Sequence, residues 1–193
     1  MMKTICTLAV LAVATSASAY SFWGEPYDSD QIPVPVWGDE TTDLDDCTGN
    51  SEYLGTARRS YIEWNSVSPR KFRWTKGGWG GPFGGAGDGF NCIRFKEIRD
   101  AGVLGLTVLN SFEGQRDADV KIDLNQNWEC GAGTPHWNEM DLESVITHEV
   151  GHQLGLDHSD VSAATMWWAI SMGDSSKRSL HSDDENGLKA QYP

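Results

Sequence analysis

The run THEVGHQLGLDHS, residues 147 to 159, holds His148, His152 and His158, three of the five histidines in a chain of 193 residues. Their spacing limits what this stretch can fold into. His148 and His152 are four apart and share one face of a helix, about one turn from each other. The third imidazole, six residues further on, reaches the same point only if the helix stops and the chain turns back. Gly155 supplies the residue that tolerates the positive φ such a helix end often needs. The sequence therefore predicts a helix over 141–154, with Asp141 as N-cap and Leu142, Val145 and Ile146 on its buried side.

Three neutral imidazoles so gathered can bind one Zn²⁺ at about 2.0–2.1 Å each, leaving a fourth position for water. Glu149 stands beside the first ligand, where it reaches that water without being a ligand. The expectation is hydrolysis by a zinc-bound water, with Glu149 as general base and then general acid. His136 and His181, outside the cluster, read as ordinary histidines. A non-catalytic, zinc-stabilised peptide-binding module is the alternative, and Glu149 weighs against it because metal binding needs only the histidines. A closed structural site would need a fourth donor. Asp157 is the nearest, and its place in the turn beside His158 makes joint ligation awkward.

The first nineteen residues, MMKTICTLAVLAVATSASA, carry Lys3, an apolar run and an Ala17-Ser18-Ala19 end, and read as a signal peptide. No later run is long and apolar enough to span a bilayer. The expectation is an extracellular protein, with periplasm as the alternative. A net charge of −13 argues against nucleic acid or anionic lipid as partners. Cys6 leaves with the leader, so Cys47, Cys92 and Cys130 imply one disulfide and one free thiol, in a pairing left open.

Along the remaining chain, QIPVPVWGDE alternates Ile32, Val34 and Val36 as a strand does, its prolines suggesting an edge or first strand. Residues 50–67 place Leu54, Ala57, Tyr61, Ile62 and Trp64 near helical spacing. RKFRW, NCIRFKEI, LGLTVLNSF and DADVKIDLN read as further strands. GGWGGPFGGAGDGF is a glycine-dense loop without the Gly-Lys-Ser/Thr of a phosphate loop. One compact α+β unit over 31–193 follows, after a signal peptide at 1–19 and a short prosegment candidate at 20–30.

The His-Glu-x-x-His-x-x-Gly-x-x-His run resembles the signature of the metzincin zinc peptidases, and Ser159 after the third histidine resembles the matrixin branch. Met166 in AATMWW is similarly placed to the family's Met-turn, and LHSDDENGLKAQYP looks like its last helix. The resemblance implies a twisted, mostly parallel sheet with an antiparallel edge strand, an active-site helix, and a C-terminal helix after the Met-turn. It implies a secreted zinc endopeptidase acting on proteins or peptides as a monomer; the His and Asp cluster that holds a second, structural zinc in animal matrixins is absent, so one zinc is expected. Calcium is a further candidate without assignable ligands. By the same resemblance Gly155, Met166 and Asp184 support the site, Asp184 bonding the Met-turn backbone, and Asp183 receives the mature N-terminal ammonium. A solvated helix start is the plainer account of that acidic pair. Trp167, Trp168, Ala169 and Ile170 would bound the primed-side pocket. The substrate is expected along an exposed sheet edge, with DADVKIDLN as the candidate strand. The family's cysteine-bearing prosegment motif is missing, and Asp28 or Asp30 is the candidate zinc ligand of a latent form, with a surface turn as the alternative.

Overall fold

The computed structural model describes residues 20–23, 26–29, 31–38, 50–67, 72–75 and 87–193. The leader, Asp30, Cys47 and most of the glycine-dense loop lie outside these residues.

Five strands form one sheet: β1 (Val34–Gly38), β2 (Phe72–Thr75), β3 (Asn91–Lys96), β4 (Gly105–Phe112) and β5 (Gln115–Asp123), in the order β2-β1-β3-β5-β4. Neighbours run parallel except β4, which pairs antiparallel with β5 from Gly105↔Ile122 to Phe112↔Gln115. Val120 and Ile122 of β5 are fully buried, in keeping with a strand covered by neighbours on both sides.

Two expectations change. DADVKIDLN does not offer an edge, because β5 is hydrogen-bonded to β3 on one side and β4 on the other. The exposed edge belongs to β4, since the Glu113-Gly114 turn folds β4 back outside β5; both turn residues have positive φ. β1 is also interior, between β2 and β3. Its ladder to β3 begins at Val36, one residue past Pro35, so the proline precedes that pairing.

Helix α1 (Asn50–Val67) buries Tyr53, Ala57, Tyr61 and Trp64, while Ile62 is 53% exposed and falls outside the apolar face predicted for it. Helix α2 (Leu142–Gln153) packs on α1 and against β4 and β5. Two polar ties fix the helix pair: Trp64 Nε1 donates to the Thr147 carbonyl at 2.8 Å, and Tyr61 OH donates to Gln153 Oε1 at 2.9 Å. Beyond α2 the chain forms a 3₁₀ turn (Ser176–Arg178) and helix α3 (Ser182–Gln191). A short parallel pair, β6 (Trp128–Glu129) and β7 (Met140–Asp141), leads into α2. Arg178 holds the 3₁₀ turn to this entry, donating through Nε to Asp141 Oδ2 at 2.8 Å and through its terminal nitrogens to the Ala132 and Gly133 carbonyls. Cys130 is disulfide-bonded, and Cys92 is a free, buried thiol.

Candidate active site

Helix α2 starts and stops where its chemistry requires. The Asp141 carboxylate accepts the Ser144 N–H at 2.6 Å, capping the first turn. At the other end Gly155 takes φ +98°, the Gly155 N–H reaches the His152 carbonyl at 2.9 Å, and the Leu156 N–H reaches the Gly151 carbonyl at 3.0 Å. That bond pair is a Schellman motif, which closes the helix and turns the chain back toward its own face. His158 thereby meets His148 and His152, and one ring nitrogen from each lies within 4.8 Å of the others.

The donor set suits a zinc ion. His148 Nδ1 lies 2.8 Å from the Thr165 carbonyl and His152 Nδ1 lies 2.8 Å from the Leu156 carbonyl. A carbonyl can only accept, so each Nδ1 carries the proton and each Nε2 keeps its lone pair. His152 Nε2 is 3.3 Å from His158 Nε2. Burial pulls the imidazolium pKa of His148 down to about 4 and that of His152 to about 3, so both rings are neutral at physiological pH. Two neutral imidazoles with free Nε2 lone pairs, and the His158 ring converging on them, match the protein share of an open zinc site.

Glu149 is buried beside the cluster. Its carboxylate accepts the Thr107 hydroxyl of β4 at 2.7 Å, and burial pushes its pKa up to about 7. Gly105 makes room for it, since a Cβ there would sit 2.7 Å from both Glu149 Cγ and Oε1. Neither Thr107 nor Gly105 was singled out from sequence. They stand about forty residues before Glu149, and only the sheet order brings them to it. Gly151, between the two helical histidines, has a similar duty: a Cβ there would come 2.2 Å from Met166 Sδ and 2.8 Å from Trp64 Cζ2. Met166 is 2% exposed and packs directly beneath the helix.

Asp184 fastens the loop that carries Met166. Its carboxylate accepts the N–H of Thr165 at 2.8 Å, of Met166 at 3.0 Å and of His181 at 2.8 Å. His181 in turn caps α3, Nδ1 accepting the Asp183 N–H at 3.1 Å. The Asp183 side chain accepts the Ser159 hydroxyl at 2.6 Å, tying α3 to the residue after His158.

A cleft of about 500 Å³ opens over the cluster. Gly105, Leu106 and Thr107 of edge strand β4 line it, together with Val145, His148, Glu149, His152 and His158. Trp167, Trp168, Ala169 and Ile170 line it as well, Trp167 half-buried and Trp168 exposed. Trp23 and Lys177 line it too, and neither was singled out from sequence. Lys177 donates to the carbonyls of Ser162 and Ala164, bracing the same loop. Asp28 is exposed and outside the cleft lining, its N–H bonded to Gln31 Oε1.

A mixed sheet with one antiparallel edge, a helix that presents two histidines and a glycine turn that returns the third define a metzincin. Residues 99–193 match the matrixin family model, and the chain is a matrix metalloproteinase-like metzincin. It is 31% identical to Metalloendoproteinase 1-MMP of Arabidopsis thaliana over 92% of this chain and 48% of that protein. Against Metalloendoproteinase 5-MMP of the same plant, identity is 42% over 38% of this chain and 22% of the relative. Against Matrix metalloproteinase-19 of Mus musculus it is 30% over 69% of this chain and 24% of the relative. The chain thus spans about half or less of the length of these relatives.

Proposed function

We propose that the chain is an exported zinc endopeptidase in which His148, His152 and His158 hold one zinc ion and Glu149 moves the proton. The observation that carries this reading is the convergence of three imidazoles with a buried carboxylate beside them, on the floor of a cleft bordered by the outermost strand of the sheet among the described residues. Zn²⁺ in that cluster would supply a Lewis acid to the scissile carbonyl and bring the pKa of water down toward about 7. Glu149 accepts the proton that water loses as its oxygen bonds to the carbonyl carbon. The same carboxyl then delivers the proton to the amine nitrogen as the C–N bond breaks. Thr107 keeps that carboxylate turned toward the cleft through its hydroxyl bond.

Substrate lies extended along β4, whose outer edge no other strand pairs with among the described residues, so that its main chain can bond a peptide of any sequence. Selectivity then falls to the cleft walls, with Trp167, Trp168, Ala169 and Ile170 as the primed-side set. Export rests on the signal-peptide features of the first nineteen residues, and among the described residues no helix is long and apolar enough to cross a membrane.

The test is cleavage of a quenched fluorescent peptide library before and after removal of metal by a chelator, followed by addition of Zn²⁺. Cleavage that disappears and returns with zinc supports the reading. Cleavage indifferent to the chelator overturns it, as does a zinc-loaded protein that cuts nothing.

A further inference from the structure

The N-terminal arm Tyr20–Trp23 runs beside the turn that carries the third histidine. The Trp23 N–H donates to the Gly155 carbonyl at 2.8 Å, the Asp157 N–H donates to the Ser21 carbonyl at 2.8 Å, and Phe22 bridges Leu156 in antiparallel fashion. Ser21 Oγ donates to the His158 carbonyl at 3.2 Å. The arm is thus paired across the whole Gly155–His158 turn. His148 and His152 are oriented through ring bonds to carbonyls of the domain, whereas exposed His158 is held through its main chain, and the arm supplies part of that hold. The Trp23 indole then reaches the cleft itself. Its ring meets that of His152 edge-on at 5.0 Å between centroids, and Trp23 lines the cavity while remaining 43% exposed.

The arm is also anchored on α3. Tyr20 nests on α3 at Gly187, where a Cβ would come 3.1 Å from the tyrosine. Tyr27, further along, belongs to the core: it is 3% exposed, donates through its OH to Asn91 Oδ1 at 2.6 Å, and lies under the Arg116 guanidinium.

Resting on the endopeptidase reading above, the geometry points to the arm as a permanent part of the active site. Its main chain clamps the His158 turn, and Trp23 is a specificity-determining wall of the substrate cleft that favours an apolar or aromatic side chain at one substrate position. Indole faces provide large apolar contact area, and a group that orients a metal ligand typically sets about 10–100-fold in metal affinity.

Two variants test this, Trp23→Ala and a chain beginning at Gly24, both made without the leader and compared with the chain beginning at Tyr20. Zinc affinity is read by competition with a chromophoric chelator, which needs no proteolysis. The expected result is zinc binding about 10-fold or more weaker in the shortened chain. In a position-by-position peptide library, Trp23→Ala should lose its preference for a large apolar residue at one position and keep the preferences at the others. Unchanged zinc affinity on shortening would overturn the clamp, and an unchanged profile in Trp23→Ala would overturn the wall. Faster cleavage by the shortened chain would overturn both and make the arm an inhibitor. If no form cleaves but zinc affinity still drops on shortening, the endopeptidase reading fails while the clamp stands.

Discussion

At the scale of single residues, two glycines carry as much of the account as the histidines. Gly105 sits against Glu149 so closely that a methyl group would push on the carboxylate. Gly105→Ala should therefore keep its zinc and lose about 10²-fold in kcat, the usual cost of moving a catalytic group by about 1 Å. Zinc content and steady-state rates measured on one preparation check this, and a rate within twofold of the parent would refute it. Cys92 makes a different point. Burial pushes its thiol pKa far up, with the nearby Asp119 carboxylate adding to the effect, so little thiolate exists in the folded protein. Iodoacetamide should leave Cys92 unmodified until the protein is denatured, and peptide mass mapping without reduction should find Cys130 in a disulfide. Rapid labelling of Cys92 under native conditions would contradict the buried placement.

At the scale of elements, helix α2 is a compromise between helical preference and packing. Glycine in a helix interior is about 1 kcal/mol worse than alanine. Here Gly151 is required, because Met166 and Trp64 occupy the space a side chain would need. Gly151→Ala should destabilise the zinc-loaded protein by about 1–3 kcal/mol despite its better helix propensity. Thermal unfolding decides this: a raised Tm would show that the Met166 contact has room to yield. Edge strand β4 leads to a second expectation. If peptides add to it as a strand, N-methylation at alternating substrate positions should abolish cleavage while the positions between tolerate it, because a strand directs successive N–H groups to opposite sides. Equal tolerance at every position would remove β4 from the binding account.

At the scale of the whole molecule, what the sequence made legible was local. The helix at 50–67, the Asp141 cap and the glycine turn before His158 depend on residues within a few positions of each other, and their signals are strong. The approximate places of the strands were equally readable from alternation. Their order was not, because it depends on pairing between distant segments; the assignment of the edge to DADVKIDLN failed for that reason, and of the two readings of β1, edge or first strand, the second holds. The site divides the same way. His148, Glu149, His152 and His158 share one short segment, whereas Thr107 and Gly105 come from β4 and Trp23 from the far N-terminal end. No local pattern marks those three, since each gains its role from a contact that exists only after the sheet and arm are in place. The chain Asp184, Thr165, His148 shows how far such dependence extends: a carboxylate on the last helix holds the N–H of the residue whose carbonyl orients a histidine.

The most direct test of the central claim is a side-by-side measurement of zinc content and peptide cleavage in the protein and in Glu149→Ala. The account predicts about one zinc per chain in both, since three histidines suffice to hold it, and cleavage in the first only. Cleavage that survives in Glu149→Ala at a similar rate, or zinc in both with cleavage in neither, would contradict it.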